Sequence, residues 1–343
     1  MLRVILAPQD DSIVSLLPTA QRAFLADTAR LTIPHAADPS VNAEDGTIPP
    51  ALLFIWNGGP VQAMLQLSQT ADFASPELEI PATERDEYHL ATVSSLLPGH
   101  RYLWRIAKTN GEPLTEPRSF TVADELPRWI LLPKVTNVRD CGGWPVAGGH
   151  RLRFGKLFRG AQFERWTFAE HGSPLTADGQ WALLTTLKLR TELDLRSGGH
   201  QIFYHPDIGY VNIPLTAYCW TGDGIFTTEQ MTHYRQVFAL LADSGTYPIY
   251  FHCQGGGDRT GTLAFMIGAA LGMSKEDLLT DYELSTLSLS GERTRFSAVW
   301  CAFRERLATC YPAATLQGQV LAYLHACGVT EEMLAGLRAN LLE

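Results

Sequence analysis

In residues 247–271, an apolar run, a glycine-rich turn and a helical pattern follow one another directly. The run YPIYF at 247–251 predicts a buried strand, and residues 262–271 predict a helix that follows the turn HCQGGGDRTG. In a strand-to-helix turn of this kind, backbone N–H groups converge and bind an anion. The succession therefore predicts an α/β domain with an anion pocket at the start of one helix.

The turn also supplies side chains suited to phosphate chemistry. Cys253 lies where the field of the N–H groups favours a thiolate, which makes it a candidate nucleophile. Arg259 offers a planar fork that matches two phosphate oxygens, and Thr260 has a hydroxyl that can hydrogen-bond the sulfur. We expect His252 to be a buried structural residue rather than a base. The stretch thus predicts a pocket for a phosphoryl group with a sulfur beneath it.

Other classes of glycine-rich turn fit these residues less well. Gly255, Gly256 and Gly257 do not meet the G-x-G-x-x-G spacing of dinucleotide-binding turns, and the turn has no lysine for a nucleotide-binding Walker loop. A buried inert cysteine would not account for Arg259 or for the glycines. The sequence therefore favours a phosphatase-type loop.

Residues 51–123 follow a different pattern, in which short strands alternate with turns. The strands are expected at 51–57, 63–69, 87–96, 101–109 and 118–123, a spacing that predicts an all-β sandwich. The Leu-x-Pro-Gly-x-x-Tyr turn at 96–102 resembles the tyrosine corner of fibronectin type III domains, and Trp56 suits their core tryptophan. We therefore expect an N-terminal region, 1–126, with a fibronectin type III-like sandwich at about 30–123, and a second domain, 127–343.

The second domain alternates strand and helix patterns, which indicates a central sheet. Ser274 and Thr330 precede acidic residues and are expected to cap two helices. Strands are expected at 189–197, 208–215 and 247–251, and helices at 176–188, 227–243, 261–272, 275–287, 291–309, 315–327 and 330–342.

The charge and the cysteine content of the chain restrict its expected binding partners and its expected cellular compartment. The net charge is −9, and residues 1–128 have 9 Lys and Arg against 16 Asp and Glu, which argues against a nucleic-acid partner. No apolar stretch reaches the length of a membrane span. Asp10 and Asp11 interrupt the N-terminal apolar run, so we expect no secretory signal; export after removal of a signal is the alternative. The 6 scattered cysteines favour a reducing, cytoplasmic compartment, with most of those other than Cys253 in the core.

A basic cluster lies between residues 139 and 165. Two interpretations are open, a solvated face or a positive rim that attracts an anionic substrate. The basic members are Arg139, Arg151, Arg153, Lys156, Arg159 and Arg165, and the acidic ones are Asp140 and Glu164.

The turn HCQGGGDRTG resembles the signature loop of cysteine-dependent protein tyrosine phosphatases. More narrowly it is similar to the bacterial tyrosine-phosphatase-like group, in which Asp directly precedes Arg. TNVRDCGG at 136–143 resembles the N-x-R-D-x-G-G entry motif of that group, and GKLFRG (155–160), DLRS (194–197) and NIPL (212–215) follow in the expected order. The likeness spans roughly residues 130–290 and implies a mostly parallel sheet flanked by helices.

This resemblance implies hydrolysis of phosphomonoesters, most typically in phosphotyrosine proteins, through a cysteinyl-phosphate on Cys253. It implies neither metal nor cofactor, because the loop replaces the metal. Arg139 and Asp140 are expected to brace the pocket from outside, and the sandwich is a candidate contact for a partner or polymer. Phosphate would be bound by the Arg259 guanidinium and by backbone amides of Gln254, Gly255, Gly256, Gly257, Asp258 and Arg259.

The proton donor for the leaving group has more than one candidate. Asp223 is the first, because the flanking glycines of Thr-Gly-Asp-Gly at 221–224 predict a mobile loop that can close over substrate. Asp258, inside the loop itself, is the second. Asp194 is a third, although with Arg196 it fits better as a support for the sheet edge.

The sequence also leaves alternative functions open. One is a phytase-like inositol phosphate or phosphoinositide phosphatase; relatives that prefer phosphoinositides often have a lysine where this chain has Gly257. Another is a phosphate-binding module without turnover, should no effective acid be present. A sulfurtransferase would share the cysteine loop but would not require Thr260 or the 137–143 motif.

Overall fold

The chain divides into two compact units, Met1–Leu17 with Pro49–Arg128 and Pro18–Ile48 with Trp129–Glu343. The computed structural model describes residues 2–27, 45–60, 62–163, 165–166, 171–173, 175–218, 223–289 and 291–343. The expected start of the sandwich near residue 30 lies outside the described residues. At the level of fold class, the prediction of a mixed α/β chain is confirmed.

The first unit contains two β-sheets that share one core. One sheet has the order β1-β3-β7-β6, and the other has the order β2-β9-β8-β4-β5. The strands are β1 (Arg3–Leu6), β2 (Ser12–Val14), β3 (Leu52–Asn57), β4 (Ala63–Ser68), β5 (Leu78–Pro81), β6 (Thr83–Arg85), β7 (Tyr88–Val93), β8 (Arg101–Lys108) and β9 (Arg118–Val122). All five strands predicted between residues 51 and 123 are confirmed; β1, β2, β5 and β6 were not predicted.

The shared core follows from alternation along the strands. Tyr102, Trp104 and Ile106 are buried at every second position of β8, and Trp56 of β3 is fully buried with them. The backbone N–H of Leu97 donates to the Tyr102 hydroxyl at 3.1 Å, which ties the turn before β8 back onto the strand.

We expect Tyr102→Phe to destabilise the first unit by about 1 kcal/mol, because the Leu97 N–H then loses its hydroxyl acceptor. Hydrogen exchange of peptides from β8 and β9 in the full chain should accelerate about fivefold. Tyr88→Phe is the matched control, since that side chain is exposed. Equal exchange rates in both variants would contradict the assigned role of the hydroxyl.

The second unit contains a five-stranded sheet with the order β10-β11-β16-β14-β15. Its strands are β10 (Arg139–Asp140), β11 (Leu157–Gly160), β14 (Thr191–Asp194), β15 (Gly209–Asn212) and β16 (Ile249–His252). β16 pairs in parallel with β11 and β14, and β14 pairs in parallel with β15. The antiparallel β10 lies beside β11, and β12 (Arg165–Trp166) and β13 (His171–Ser173) form a separate ladder.

Eight α-helices are described in this unit. They are α1 (Thr19–Ala26), α2 (Ala177–Thr185), α3 (Thr228–Ala242), α4 (Arg259–Leu271), α5 (Lys275–Glu283), α6 (Ala298–Cys310), α7 (Leu316–Ala326) and α8 (Glu331–Leu341). The caps predicted at Ser274 and Thr330 are confirmed, because both hydroxyls accept a backbone N–H. None of the helices in the described part of the chain is long and apolar enough to cross a bilayer.

One predicted helix begins late. It was expected to start at residue 291, but α6 begins at Ala298 after the Ser297 N-cap. The residues before Ala298 are held by other hydrogen bonds and not by those of a helix. Arg293 exchanges two hydrogen bonds with Thr286, and Arg295 binds the carboxylate of Glu283.

Residues 18–48 group with the second unit, although the sequence predicts a continuous N-terminal region 1–126. The indole of Trp129 donates to Gln21 of α1 at 2.5 Å. The N–H of Gly46 donates to the Leu287 carbonyl at 2.9 Å, and the Thr47 hydroxyl accepts the Asn137 N–H at 2.9 Å. These contacts explain why the segment belongs to the second unit.

The described cysteines are all free thiols. Cys253 and Cys327 are buried and Cys141 is half-buried, but Cys301 and Cys310 are exposed. The expectation of a mostly buried set is therefore wrong for the last two, because α6 buries only Trp300, Phe303 and Leu307. Cys219 lies outside the described residues.

Candidate active site

The segment from Cys253 to Asp258 joins the central strand β16 to the start of α4. Every residue of β16 is buried, and the Cys253 side chain that follows is only 3 % exposed. Because β16 lies between two parallel neighbours, the loop of residues 253–259, which the sequence predicts to bind phosphate, sits at the carboxyl end of the sheet, where α/β proteins bind their ligands.

Three consecutive carbonyls of the loop, those of residues 254–256, are bound by donors from other elements. In a trans peptide the C=O of one residue and the N–H of the next point in opposite directions. The N–H groups of residues 255–257 therefore face the interior of the turn, as an anion cradle requires. The donors are the Gln162 N–H to Gln254 (2.9 Å), the Asn137 side-chain amide to Gly255 (3.3 Å) and the Arg159 guanidinium to Gly256 (3.0 Å).

One of the loop glycines, Gly256, is required by its surroundings, and a second, Gly257, is closely packed against a side chain. Gly256 has φ +72°, and a Cβ there would lie 2.5 Å from the carbonyl carbon of Gly160 in β11. A Cβ on Gly257 would lie 3.0 Å from two nitrogens of Arg293. The loop thus packs against backbone on one side and a guanidinium on the other.

A buried network lies behind the loop and centres on the Asp281 carboxylate of α5. Asp281 accepts from Arg139 Nε at 2.8 Å and from Arg159 Nη1 at 2.6 Å. Burial opposes its ionisation, but the two arginines outweigh burial and hold the pKa of Asp281 below its usual value. Burial, with the neighbouring Arg159, lowers the pKa of Arg139 to about 10.

Arg139 and Asp140 lie in different surroundings, although both were expected to brace the pocket. Arg139 also donates to the side-chain oxygen of Asn137, whose amide binds the loop. Asp140 instead accepts the N–H groups of Gly142 and Gly155, both at 2.8 Å, and so holds the turn beside β10.

The basic cluster of residues 139–165 does not form a continuous surface. Arg139 and Arg159 are fully buried and share Asp281, so the expectation of a solvent-facing rim is wrong for these two. Arg153 donates to the Leu342 carbonyl at 2.7 Å. Glu164 lies outside the described residues.

His252 has both ring nitrogens engaged. Nε2 lies 3.0 Å from a carboxylate oxygen of Glu192, and Nδ1 lies 3.1 Å from the Cys253 carbonyl. The imidazole is 1 % exposed, so it is positioned to orient the backbone that precedes the cysteine sulfur.

Arg259 and Thr260 open α4 in different environments. The guanidinium of Arg259 donates to the side-chain oxygen of the exposed Gln254 at 3.4 Å. Thr260 is fully buried, and within the described ranges its hydroxyl has no hydrogen-bond partner. A buried hydroxyl without a partner is unfavourable unless a further group uses it.

The three candidate acids are each paired with an arginine, but in unequal settings. Asp258 meets Arg293 through both carboxylate oxygens, at 2.7 and 3.0 Å, and the Arg293 side chain is 15 % exposed. Asp223 pairs with Arg306 at 2.5 Å, and its side chain is 69 % exposed. Of the predicted Thr221–Gly224 loop, residues 221 and 222 lie outside the described residues.

Asp194 is the most enclosed of the three. Its carboxylate binds Arg196 at 2.7 Å and accepts the Tyr210 hydroxyl at 2.9 Å. Burial would raise its pKa, but the hydrogen bonds from Arg196 outweigh burial and lower it. Such a carboxylate is a poor proton donor, and it supports the sheet edge as expected.

Sequence reasoning missed the residues that hold the loop from outside. Asn137 and Arg159 lie inside the quoted motifs, so those motifs were the available signal. Asp281 and Arg293 lie in segments that the sequence presents as ordinary helices, 275–287 and 291–309, and nothing in their local pattern marks them.

Residues 130–343 match a family model described as tyrosine phosphatase family. A Cupriavidus necator protein named provisionally as a tyrosine-protein phosphatase is 30 % identical over 178 residues, which cover 45 % of this chain. The matched region spans 61 % of that relative's length.

Two solved structures are similar to this chain only with low TM-scores. The core catalytic domain of the PP-IP phosphatase SIW14 from S. cerevisiae, in complex with citrate, has a TM-score of 0.30 and 15 % identity, covering 46 % of this chain and 91 % of that one. CopC from Methylosinus trichosporium OB3b has a TM-score of 0.20 and 12 % identity, covering 36 % and 94 %. Both scores are too low to support an argument about fold.

Proposed function

This chain belongs to the tyrosine phosphatase family, and from that premise we propose that it hydrolyses phosphomonoesters through a cysteinyl-phosphate on Cys253. The observation that best supports the proposal is the loop itself. Its carbonyls at 254–256 are bonded on the outer side, so its N–H groups face inward beside a buried cysteine and the first turn of α4.

The proposed reaction has two displacements at phosphorus. The Cys253 thiolate attacks, an S–P bond forms, and the ester P–O bond breaks as the leaving oxygen receives a proton. Water then attacks phosphorus and gives a proton to the carboxylate that acted as the acid, the S–P bond breaks to restore the Cys253 thiolate, and inorganic phosphate leaves. Loop amides and the Arg259 guanidinium hold the equatorial oxygens, each such donor being worth on the order of a hundredfold in rate. The Thr260 hydroxyl, buried without a described partner, suits stabilisation of the departing thiolate.

We propose Asp223 as the proton donor, with Asp258 as the alternative. Asp258 binds an almost buried arginine through both oxygens, and a two-point contact of this kind holds the carboxylate in place. The Asp223 pair with Arg306 is exposed, and exposed pairs contribute at most about 1 kcal/mol. Asp223 can therefore leave Arg306 and turn toward a bound substrate far more easily than Asp258 can leave Arg293.

Asp223→Asn is expected to slow hydrolysis of a substrate with a poor leaving group, such as phenyl phosphate, by about 100-fold. p-Nitrophenyl phosphate should be affected much less, because its leaving group needs little protonation. Asp258→Asn serves as the matched comparison and should slow both substrates to a similar extent. Equal slowing of the two substrates by Asp223→Asn would reject Asp223 as the acid.

The charge next to the loop supports a proposal about the substrate class. Arg293 occupies the space beside Gly257, but its charge is matched by Asp258, so the pair adds no net cation. Arg139 and Arg159 are buried behind the loop. This favours substrates with one phosphate group, with phosphotyrosine first, over inositol phosphates or phosphoinositides that need several cations.

One comparison of substrates tests the proposal. Phosphate release should be measured from p-nitrophenyl phosphate, a phosphotyrosine peptide and inositol hexakisphosphate, together with tungstate binding. Release from the first two supports the proposal, and preferred release from the third supports the inositol phosphate alternative. Tungstate binding without release from any of them identifies a phosphate-binding module.

For the first unit, we propose a fibronectin type III-like sandwich that contacts a partner protein or polymer. The hydrogen bond from the Leu97 N–H to Tyr102 supports the resemblance to a tyrosine corner, and the buried Trp56 supports the core assignment. This proposal concerns binding and not catalysis, so phosphatase activity does not test it. The relevant measurement is binding of the full chain to candidate partners.

A further inference from the structure

We propose that Asp281 is a positioning residue that shapes the phosphate-binding loop through two arginines at once. The proposal rests on the proposed function, because it concerns the same loop. The two oxygens of the Asp281 carboxylate are divided, one to Arg139 at 2.8 Å and the other to Arg159 at 2.6 Å. Arg139 also donates to the Asp281 backbone carbonyl at 2.8 Å.

Each arginine leads to a different loop carbonyl. Arg159 donates directly to the Gly256 carbonyl at 3.0 Å. Arg139 donates to the Asn137 side-chain oxygen, which fixes the orientation of the amide whose nitrogen binds the Gly255 carbonyl. One carboxylate on α5 therefore sets two neighbouring peptide planes, and with them the N–H groups of residues 256 and 257.

Solvent cannot readily take the place of this carboxylate. The side chains of Arg139 and Arg159 are 0 % and 1 % exposed, and that of Asp281 is 15 % exposed. Removing one member of a buried ionic network leaves its partners unpaired rather than hydrated. Both guanidinium groups would then rotate or move apart, and the two peptide planes would lose their fixed direction.

The network also fits the charge of the proposed substrate. Two guanidinium groups share one carboxylate, so one positive charge remains beneath the loop. Arg159 polarises the peptide whose N–H points into the turn, and a polarised donor holds an oxyanion more strongly. The arrangement thus supports an anion above the loop and keeps the arginines away from solvent.

Asp281→Asn tests this role, with Glu276→Gln as the control. Glu276 is also a carboxylate of α5 paired with an arginine, but its side chain is 73 % exposed. We expect Asp281→Asn to lower kcat for p-nitrophenyl phosphate by about 100-fold, as misplaced catalytic geometry does, and to weaken tungstate binding. Glu276→Gln should change neither. Rates are measured below the unfolding temperature of each variant and expressed per mole of folded protein.

Arg159→Lys supplies a second test in case Asp281→Asn does not fold. A lysine keeps the charge, but its compact ammonium lacks the fork that spans Asp281 and the Gly256 carbonyl. We expect the same loss of kcat. The double variant should lose no more than either single variant, because both break one chain of contacts.

The outcomes separate this inference from the proposed function. If the parent releases phosphate and Asp281→Asn, folded, matches it in kcat and tungstate affinity, the positioning role is overturned. Fully additive effects of Asp281→Asn and Arg159→Lys also overturn it. If the parent neither releases phosphate nor binds tungstate, the proposed function fails first and the inference falls with it.

Discussion

Cys253→Ser is expected to reduce phosphate release to the background rate while the protein still binds tungstate or inorganic phosphate. A serine hydroxyl stays protonated near neutral pH, so it cannot replace a thiolate that attacks phosphorus. The loop amides and Arg259 are unchanged, and the buried side chain keeps nearly the same size. Initial rates with p-nitrophenyl phosphate and isothermal titration with tungstate measure the two properties separately.

Cys327→Ser provides the matched control for this experiment. That thiol is also buried, and burial raises its pKa to about 12, so it is expected to be inert. It lies at the end of α7, and its substitution should leave turnover unchanged. Turnover that survives Cys253→Ser would place the nucleophile elsewhere, and loss of tungstate binding would show that the variant disturbs the loop.

The loop was predictable from sequence because its constraints are local. Strand, glycine turn and helix are contiguous in the chain, so apolar runs and glycine positions identify them without knowledge of distant residues. The observed β16 and α4 match the expected strand and helix closely. The same holds for β3, β4, β7, β8 and β9, whose alternating side chains mark one buried face.

The support of the loop was not predictable, because its partners are distant in sequence. Asn137 meets Gly255 across 118 positions, Arg159 meets Gly256 across 97, and Arg139 meets Asp281 across 142. A single sequence does not reveal which buried arginine finds which carboxylate. The basic cluster was therefore ambiguous, and burial rather than charge count decided how Arg139 and Arg159 are used.

The missed strands β1 and β2 have a similar cause. Both strands are short. In addition, β2 pairs in parallel with β9, a partner distant in sequence, so that Ser12 lies opposite Phe120. β1 has an exposed or half-exposed side chain at each of its positions, and such a segment lacks the alternation that marks a strand. Only the sheets they join give these residues their conformation.

Gly256→Ala is expected to reduce activity by about 100-fold or more and to lower the stability of the fold, although no reacting group is changed. Gly256 has φ +72°, a region that disfavours alanine by about 1–2 kcal/mol. In addition, the new methyl would lie 2.5 Å from the Gly160 carbonyl carbon, 2.6 Å from its oxygen and 2.9 Å from the Ala161 nitrogen. These are backbone atoms at the end of β11, so the loop rather than the strand must shift.

Gly149→Ala separates the conformational penalty from the clash. Gly149 has φ +80°, but a Cβ there would have no atom within 4 Å. Both variants should therefore lose stability through φ, and only Gly256→Ala should also lose kcat and tungstate affinity. Thermal unfolding, initial rates and tungstate titration of both variants make the comparison. Full activity in Gly256→Ala would mean that the loop tolerates displacement against β11, and the preorganised cradle on which the proposed catalysis depends would be rejected.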